Sequence, residues 1–257
     1  MANMMNATTH VMQVTKRPPV QMVEGHGSWL RDSDGREYLD FVQGWAVNCL
    51  GHSHPAVVEA LTRQAQRLIN CSPSYHNAPM ARLATLVARS SGLEHVFFTN
   101  SGAEANEGAV KLARKWGTLH RGGAYEIITT HGSFHGRTLA MMSASGKPAF
   151  APLFEPKVPG FVKVPLNDLG ALDAAITERT VAVMLEPIQG EAGVFTVSIT
   201  AQPTAVISAL PLNVPPWSPA AKQLACPLAT SATSGTPEPR PLPSVRMSGR
   251  ESVCSNA

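Results

Sequence analysis

The chain has 257 residues, 44% of them hydrophobic, enough for one large domain or two small ones with a sizeable core. The net charge is only +3 and no Lys/Arg cluster forms a patch, so nucleic-acid binding has no support, and no apolar run approaches the length of a membrane span. The polar start, Met1 to Gln13, lacks a signal-peptide core, and the scattered cysteines Cys49, Cys71, Cys226 and Cys254 form no C-x-x-C pair, which suits a reduced, cytoplasmic protein.

Taken in order, the elements begin with a β-hairpin: Trp29 to Asp32, an Asp34-Gly35 turn, then Arg36 to Phe41. Pro55 to Asn70 reads as a helix, with proline in its first turn and Val58, Leu61, Ala65 and Leu68 at helical spacing. A second helix covers Pro79 to Ser90, and His95 to Thr99 reads as a short buried strand. Ser101 to Trp116 is a helix, Tyr125 to Thr130 a strand, Asp168 to Glu178 a helix capped by its aspartate, and Val181 to Glu186 a strand. Strands alternating with helices imply a three-layer α/β arrangement.

Composition changes near Ser198. Ten of the 21 prolines fall in residues 199–257, which hold only two acidic residues, Glu238 and Glu251, and no aspartate, phenylalanine or tyrosine. Such a stretch buries too little apolar surface to offset its ordering entropy, so it reads as a mostly disordered tail.

Three segments carry chemistry. In Phe97-Phe-Thr-Asn-Ser-Gly-Ala-Glu-Ala-Asn-Glu107 a strand gives way to a helix through Ser101-Gly102-Ala103. Free N–H groups at a helix start attract a phosphate, and glycine permits close approach. An ordinary helix start gives the same pattern, with Ser101 as cap and Glu104 completing a capping box. In Thr130-His-Gly-Ser-Phe-His-Gly-Arg-Thr138, Phe134 offers a face for stacking and Arg137 a fork for a carboxylate. A loop with a core phenylalanine and a solvated arginine reads equally well. His131 and His135 have no carboxylate or cysteine nearby at ligand spacing, so no metal site is expected. In Met184-Leu-Glu-Pro-Ile-Gln-Gly-Glu-Ala-Gly193, Glu186 ends a strand, where α/β sheets build ligand sites, and Glu191 follows in a loop.

Together the runs Asn100–Glu107, His131–Thr138 and Glu186–Glu191 resemble the class III aminotransferases, over about residues 10–196. The segment Gly44 to Pro55 is most similar to family members that act on acetylornithine. The resemblance implies a fold-type I pyridoxal-phosphate-dependent α/β transferase, truncated. Residues 1–50 would form the N-terminal segment of the small domain, 51–198 an incomplete three-layer cofactor-binding large domain, and 199–257 a non-homologous tail. It implies pyridoxal 5′-phosphate as cofactor, held by Ser101, Gly102 and Ala103 at its phosphate and by Phe134 against its ring. Arg137 would bind the α-carboxylate of the substrate and Glu186 would lie beside it. Glu191 would gate an arginine that separates the two half-reactions, and His135 would support its loop. The implied reaction moves an amino group from N2-acetylornithine, or a related ω-amino donor, to 2-oxoglutarate in arginine biosynthesis, within a homodimer.

The family also needs a Schiff-base lysine and an aspartate for the pyridine nitrogen, both after the Glu186–Glu191 run. Here the last aspartate is Asp173, and the only later lysine is Lys222, in Ala-Ala-Lys-Gln-Leu-Ala, which bears no likeness to the family's lysine segment. No catalytic residue is therefore assigned. The alternative function is an inactive fragment, with residues from about 199 onward arising from a shifted reading frame.

Overall fold

A computed structural model describes residues 10–12 and 14–198, so the tail expected from 199 lies outside the described residues. The described residues fall into two units divided between Met80 and Ala81, each taken by itself below.

The first unit is built on an antiparallel sheet in the order β1 (Met22–His26), β2 (Trp29–Asp32), β3 (Glu37–Leu39). The Asp-Gly turn forms as the sequence suggests, because Gly35 adopts φ +83° and Asp32 Oδ1 accepts the N–H groups of Asp34 and Arg36 at 2.9 and 2.8 Å. Residues Gln43–Ala46 form a left-handed turn in which three non-glycine residues hold positive φ. Each such residue costs roughly 1–2 kcal/mol, so the turn needs anchors. Asp40 provides one: its Oδ1 accepts from Val42 N and Gln43 N, and its Oδ2 lies 2.7 Å from His52 Nε2. Helix α1 (Pro55–Ala65) starts on His54 and stops five residues short of the expected end. There Gln64 Nε2 donates to Leu68 O at 2.8 Å and the N–H groups of Arg67 and Leu68 turn back to Gln64 O, which closes the helix.

Helix α2 (Ala78–Ser91) crosses the division. In the second unit, α3 (Gly102–His120) packs on a parallel sheet in the order β5 (Phe161–Val164), β4 (Glu126–Thr130), β6 (Thr180–Val183). Strand β4 is central and buried at every residue. Helix α4 (Leu139–Ala144) follows β4, and α5 (Leu169–Ala175) follows β5, capped by Asp168, whose Oδ1 accepts Ala171 N at 2.8 Å. A two-stranded hairpin, β7 (Ile188–Gln189) and β8 (Phe195–Thr196), closes the described chain. The core is Val110, Ala113, Ala124, Ile127, Met141, Ala144, Val181 and Ala182. Gly117 belongs to it for a steric reason: a Cβ there would collide with the Ala124 carbonyl.

One expectation is overturned. His95–Thr99 is not a strand, and it is not buried: Phe97 is 73% exposed. Its composition favours a strand, but a strand exists only when another pairs with it. Among the described residues none does. Neither α1 nor α2 carries a buried residue, and Phe41, Trp45, Phe97 and Leu112 all stand in solvent. So much exposed apolar surface predicts strong binding of an apolar fluorescent dye and a broad thermal transition for the purified chain. A sharp, cooperative calorimetric peak without dye binding would contradict this.

Candidate active site

The three segments singled out in the sequence meet in the second unit. At the start of α3, Ser101 is extended (φ −151°, ψ 160°) and its Oγ accepts Glu104 N at 3.2 Å. Glu104 reaches back to Asn100 N at 2.6 Å, one residue before the usual capping-box position. The N–H groups of Gly102 and Ala103 remain in a first turn that has no internal acceptors for them. A Cβ on Gly102 would meet nothing within 4 Å, so the space before this turn is open.

The loop after β4 is pinned along its length. Phe134 N donates to Glu186 Oε2 at 3.0 Å, and His135 N to Ser145 Oγ at 2.9 Å. Asn106 Nδ2, from α3, donates to His135 O at 2.8 Å, and Thr138 Oγ1 donates to Glu107. Gly136, at φ +137°, lies so close to α3 that a Cβ there would fall 2.9 Å from Ala103 Cβ. The loop carrying Phe134 and Arg137 is thereby fixed against the start of α3. Arg137 is exposed, and among the described residues it makes no ion pair.

Gln189 completes the junction. It is 2% exposed, and its Nε2 donates to Thr130 Oγ1 at 3.0 Å and His131 O at 2.9 Å, tying β7 to the end of β4. Glu191, at the turn of the β7–β8 hairpin, pairs with Lys147. The Lys147 ammonium also lies 5.8 Å from the Phe134 ring centre and 5.5 Å from that of Phe150. A groove of about 610 Å³ at the carboxyl ends of β4 and β5, where parallel sheets bind ligands, is lined by His131, Pro165, Asn167, Gln189 and Phe195, and not by Phe134, Arg137 or the Ser101–Ala103 turn.

Ser101, Gly102, Ala103, Phe134, Arg137, Glu186 and Glu191 are the candidates the sequence singles out, and Asn106, Gln189 and Lys147, which it does not single out, bond to the same segments. Asn106 and Gln189 stand inside the quoted motifs and could have been found there. Lys147 left no signal, because its partner is 44 residues away and follows no local period.

The residues present fit a phosphorylated planar cofactor: an open helix start for a dianion, a held aromatic ring, and an arginine for a carboxylate. The fold is that of a pyridoxal-phosphate type of transferase, and the chain belongs to the class III aminotransferase family, whose model matches residues 11–204. Members of that family work with pyridoxal 5′-phosphate. The chain is 60% identical over 188 residues to an acetylornithine aminotransferase of Ralstonia nicotianae, covering 72% of this chain and 47% of that protein. The fold matches an ornithine aminotransferase of Toxoplasma gondii with a TM-score of 0.71 and 32% identity, covering 77% of this chain and 48% of that one. It also matches an acetylornithine aminotransferase of Elizabethkingia anophelis with a TM-score of 0.61 and 31% identity, covering 76% and 46%. The chain thus spans about half the length of the relatives it matches.

His135 has a distinct electrostatic setting. Burial, reinforced by the charge of Lys163, pushes its pKa down to about 4, and its Nε2 is buried without a partner among the described residues. The imidazole is neutral at pH 7. An unfolded chain binds a proton near pH 6.5 that the folded one refuses until about pH 4. The resulting stabilisation is full above pH 6.5 and lost as pH falls toward 4, with a slope of at most about 1.4 kcal/mol per pH unit. Opening free energies of the β4 amides, from hydrogen exchange, should fall over that window, and His135→Gln should flatten the fall. An unchanged slope in the variant would contradict the assignment.

Proposed function

We propose that this chain is the N-terminal half of an aminotransferase that moves an amino group from N2-acetylornithine, or a related ω-amino donor, to 2-oxoglutarate in arginine biosynthesis. The observation that carries the reading is the convergence of the three motifs: Gly136 against Ala103, and Glu186 on the N–H of Phe134. Likeness to acetylornithine aminotransferases supports the choice of donor. A cytoplasmic homodimer is part of the same reading.

When bound, pyridoxal 5′-phosphate would supply an electron sink for cleaving the bond to the proton next to the reacting nitrogen. The chain's own residues do the holding. The N–H groups of Gly102 and Ala103 receive the phosphate, with the dipole of the 19-residue α3 behind them. Phe134 offers a ring face, and its backbone is held by its own N–H on Glu186. Arg137, exposed and without an ion-pair partner among the described residues, takes a substrate carboxylate in bidentate fashion.

No residue of this chain is assigned to proton transfer. The only lysine after Glu191 is Lys222, in a segment without likeness to the family's, and no aspartate follows Asp173. Residues 1–257 by themselves are therefore proposed to be catalytically inactive, the second reading being a reading frame shifted from about residue 199. Borohydride reduction with pyridoxal 5′-phosphate should label no single lysine preferentially, and acetylornithine with 2-oxoglutarate should give no turnover above buffer. Measurable turnover would overturn inactivity. A segment resembling Asp-Glu-Val-Gln-Thr-Gly in another reading frame downstream of codon 198 would support the frameshift, and its absence from both frames would exclude it.

A further inference from the structure

Lys147 has no role in the reading above, yet it touches two of its residues. Its backbone is fixed before its side chain begins. Gly146 N donates to Ser133 O at 2.9 Å and Gly132 N to Gly146 O at 3.0 Å, and a Cβ on Gly146 would collide with the Thr130 carbonyl. Lys147 therefore leaves the chain directly beside the loop that carries Phe134. Its partner is anchored as well, since Glu191 sits on a hairpin that Gln189 ties to β4.

An accessible ion pair adds little by itself, because holding two long side chains together costs entropy. Here the backbone is fixed at both ends, so only the two side chains remain to be ordered. The ammonium also forms a triangle with two rings: 5.8 Å to Phe134, 5.5 Å to Phe150, and 6.2 Å between the ring centres. A cation shared by two rings and tethered by a carboxylate restrains both rings.

We infer that Lys147 is a positioning residue: tethered by Glu191, its ammonium braces the Phe134 ring against Phe150 and so sets the surface on which a planar cofactor rests. The inference builds on the reading that Phe134 faces the cofactor.

The test uses the full chain and pyridoxamine 5′-phosphate, which has no aldehyde and cannot label lysines at random. Lys147→Met should weaken its binding about tenfold, and Lys147→Arg should restore most of it. Hydrogen exchange in residues 131–137 should quicken in Lys147→Met, with β4 unchanged and the arginine variant like the parent. Lys147→Met with parental exchange in 131–137 overturns the brace, as does loss of protection in β4 too, which would make Lys147 a general stability residue. Should the parent fail to bind while Lys147→Met still loosens 131–137, the cofactor reading fails and the brace stands. Should the parent bind and Lys147→Met bind equally well despite a looser loop, the link to the cofactor surface is overturned.

Discussion

Glu186 lies three residues beyond the end of β6, and its carboxylate accepts the N–H of Phe134, 52 residues earlier in the chain. A charge-assisted bond of this kind, between the ends of two neighbouring parallel strands, holds an otherwise irregular loop in one place. From that fixed point Gly136 can approach Ala103 at the start of α3, and Asn106 can reach the His135 carbonyl. The bonds of Asn106 to the His135 carbonyl, Thr138 to Glu107 and Gln189 to the end of β4 join the same three motifs at other points.

The surrounding polar contacts extend this constraint. Ser133, His135 and Ser145 are all buried, and each finds a backbone or hydroxyl partner, so the loop after β4 is part of the core's hydrogen-bond accounting. The exception is His135 Nε2, which stays neutral because burial and Lys163 oppose a proton there. Lys147 and Glu191 form an outer layer around the same ring. A loop so bonded can present a rigid face beside a parallel sheet of three strands among the described residues.

Much of this was legible in the sequence, for local reasons. The Asp34-Gly35 turn, the Ser101 and Asp168 caps and the buried β4 each follow from residues within a few positions of one another. The motifs were legible because their residue types are few and ordered. What stayed hidden depends on distant partners. His95–Thr99 has the composition of a strand but lacks a neighbour to pair with among the described residues. Strand β5 is short and flanked by irregular chain, and α1 ends early in backbone and side-chain bonds to Gln64 that the apolar spacing does not announce. Lys147 is defined by contacts to Phe134, Phe150 and Glu191, which no local pattern announces.

The central claim is that three separated motifs make one site for a phosphorylated planar ligand. Amide chemical shifts of the labelled chain, followed during titration with pyridoxamine 5′-phosphate and, in parallel, with inorganic phosphate, address it directly. The account predicts that Gly102 and Ala103 shift with both ligands, and Phe134 with the ring-bearing one only. Shifts confined to other residues, or none at Gly102 and Ala103 at saturating ligand, would contradict it.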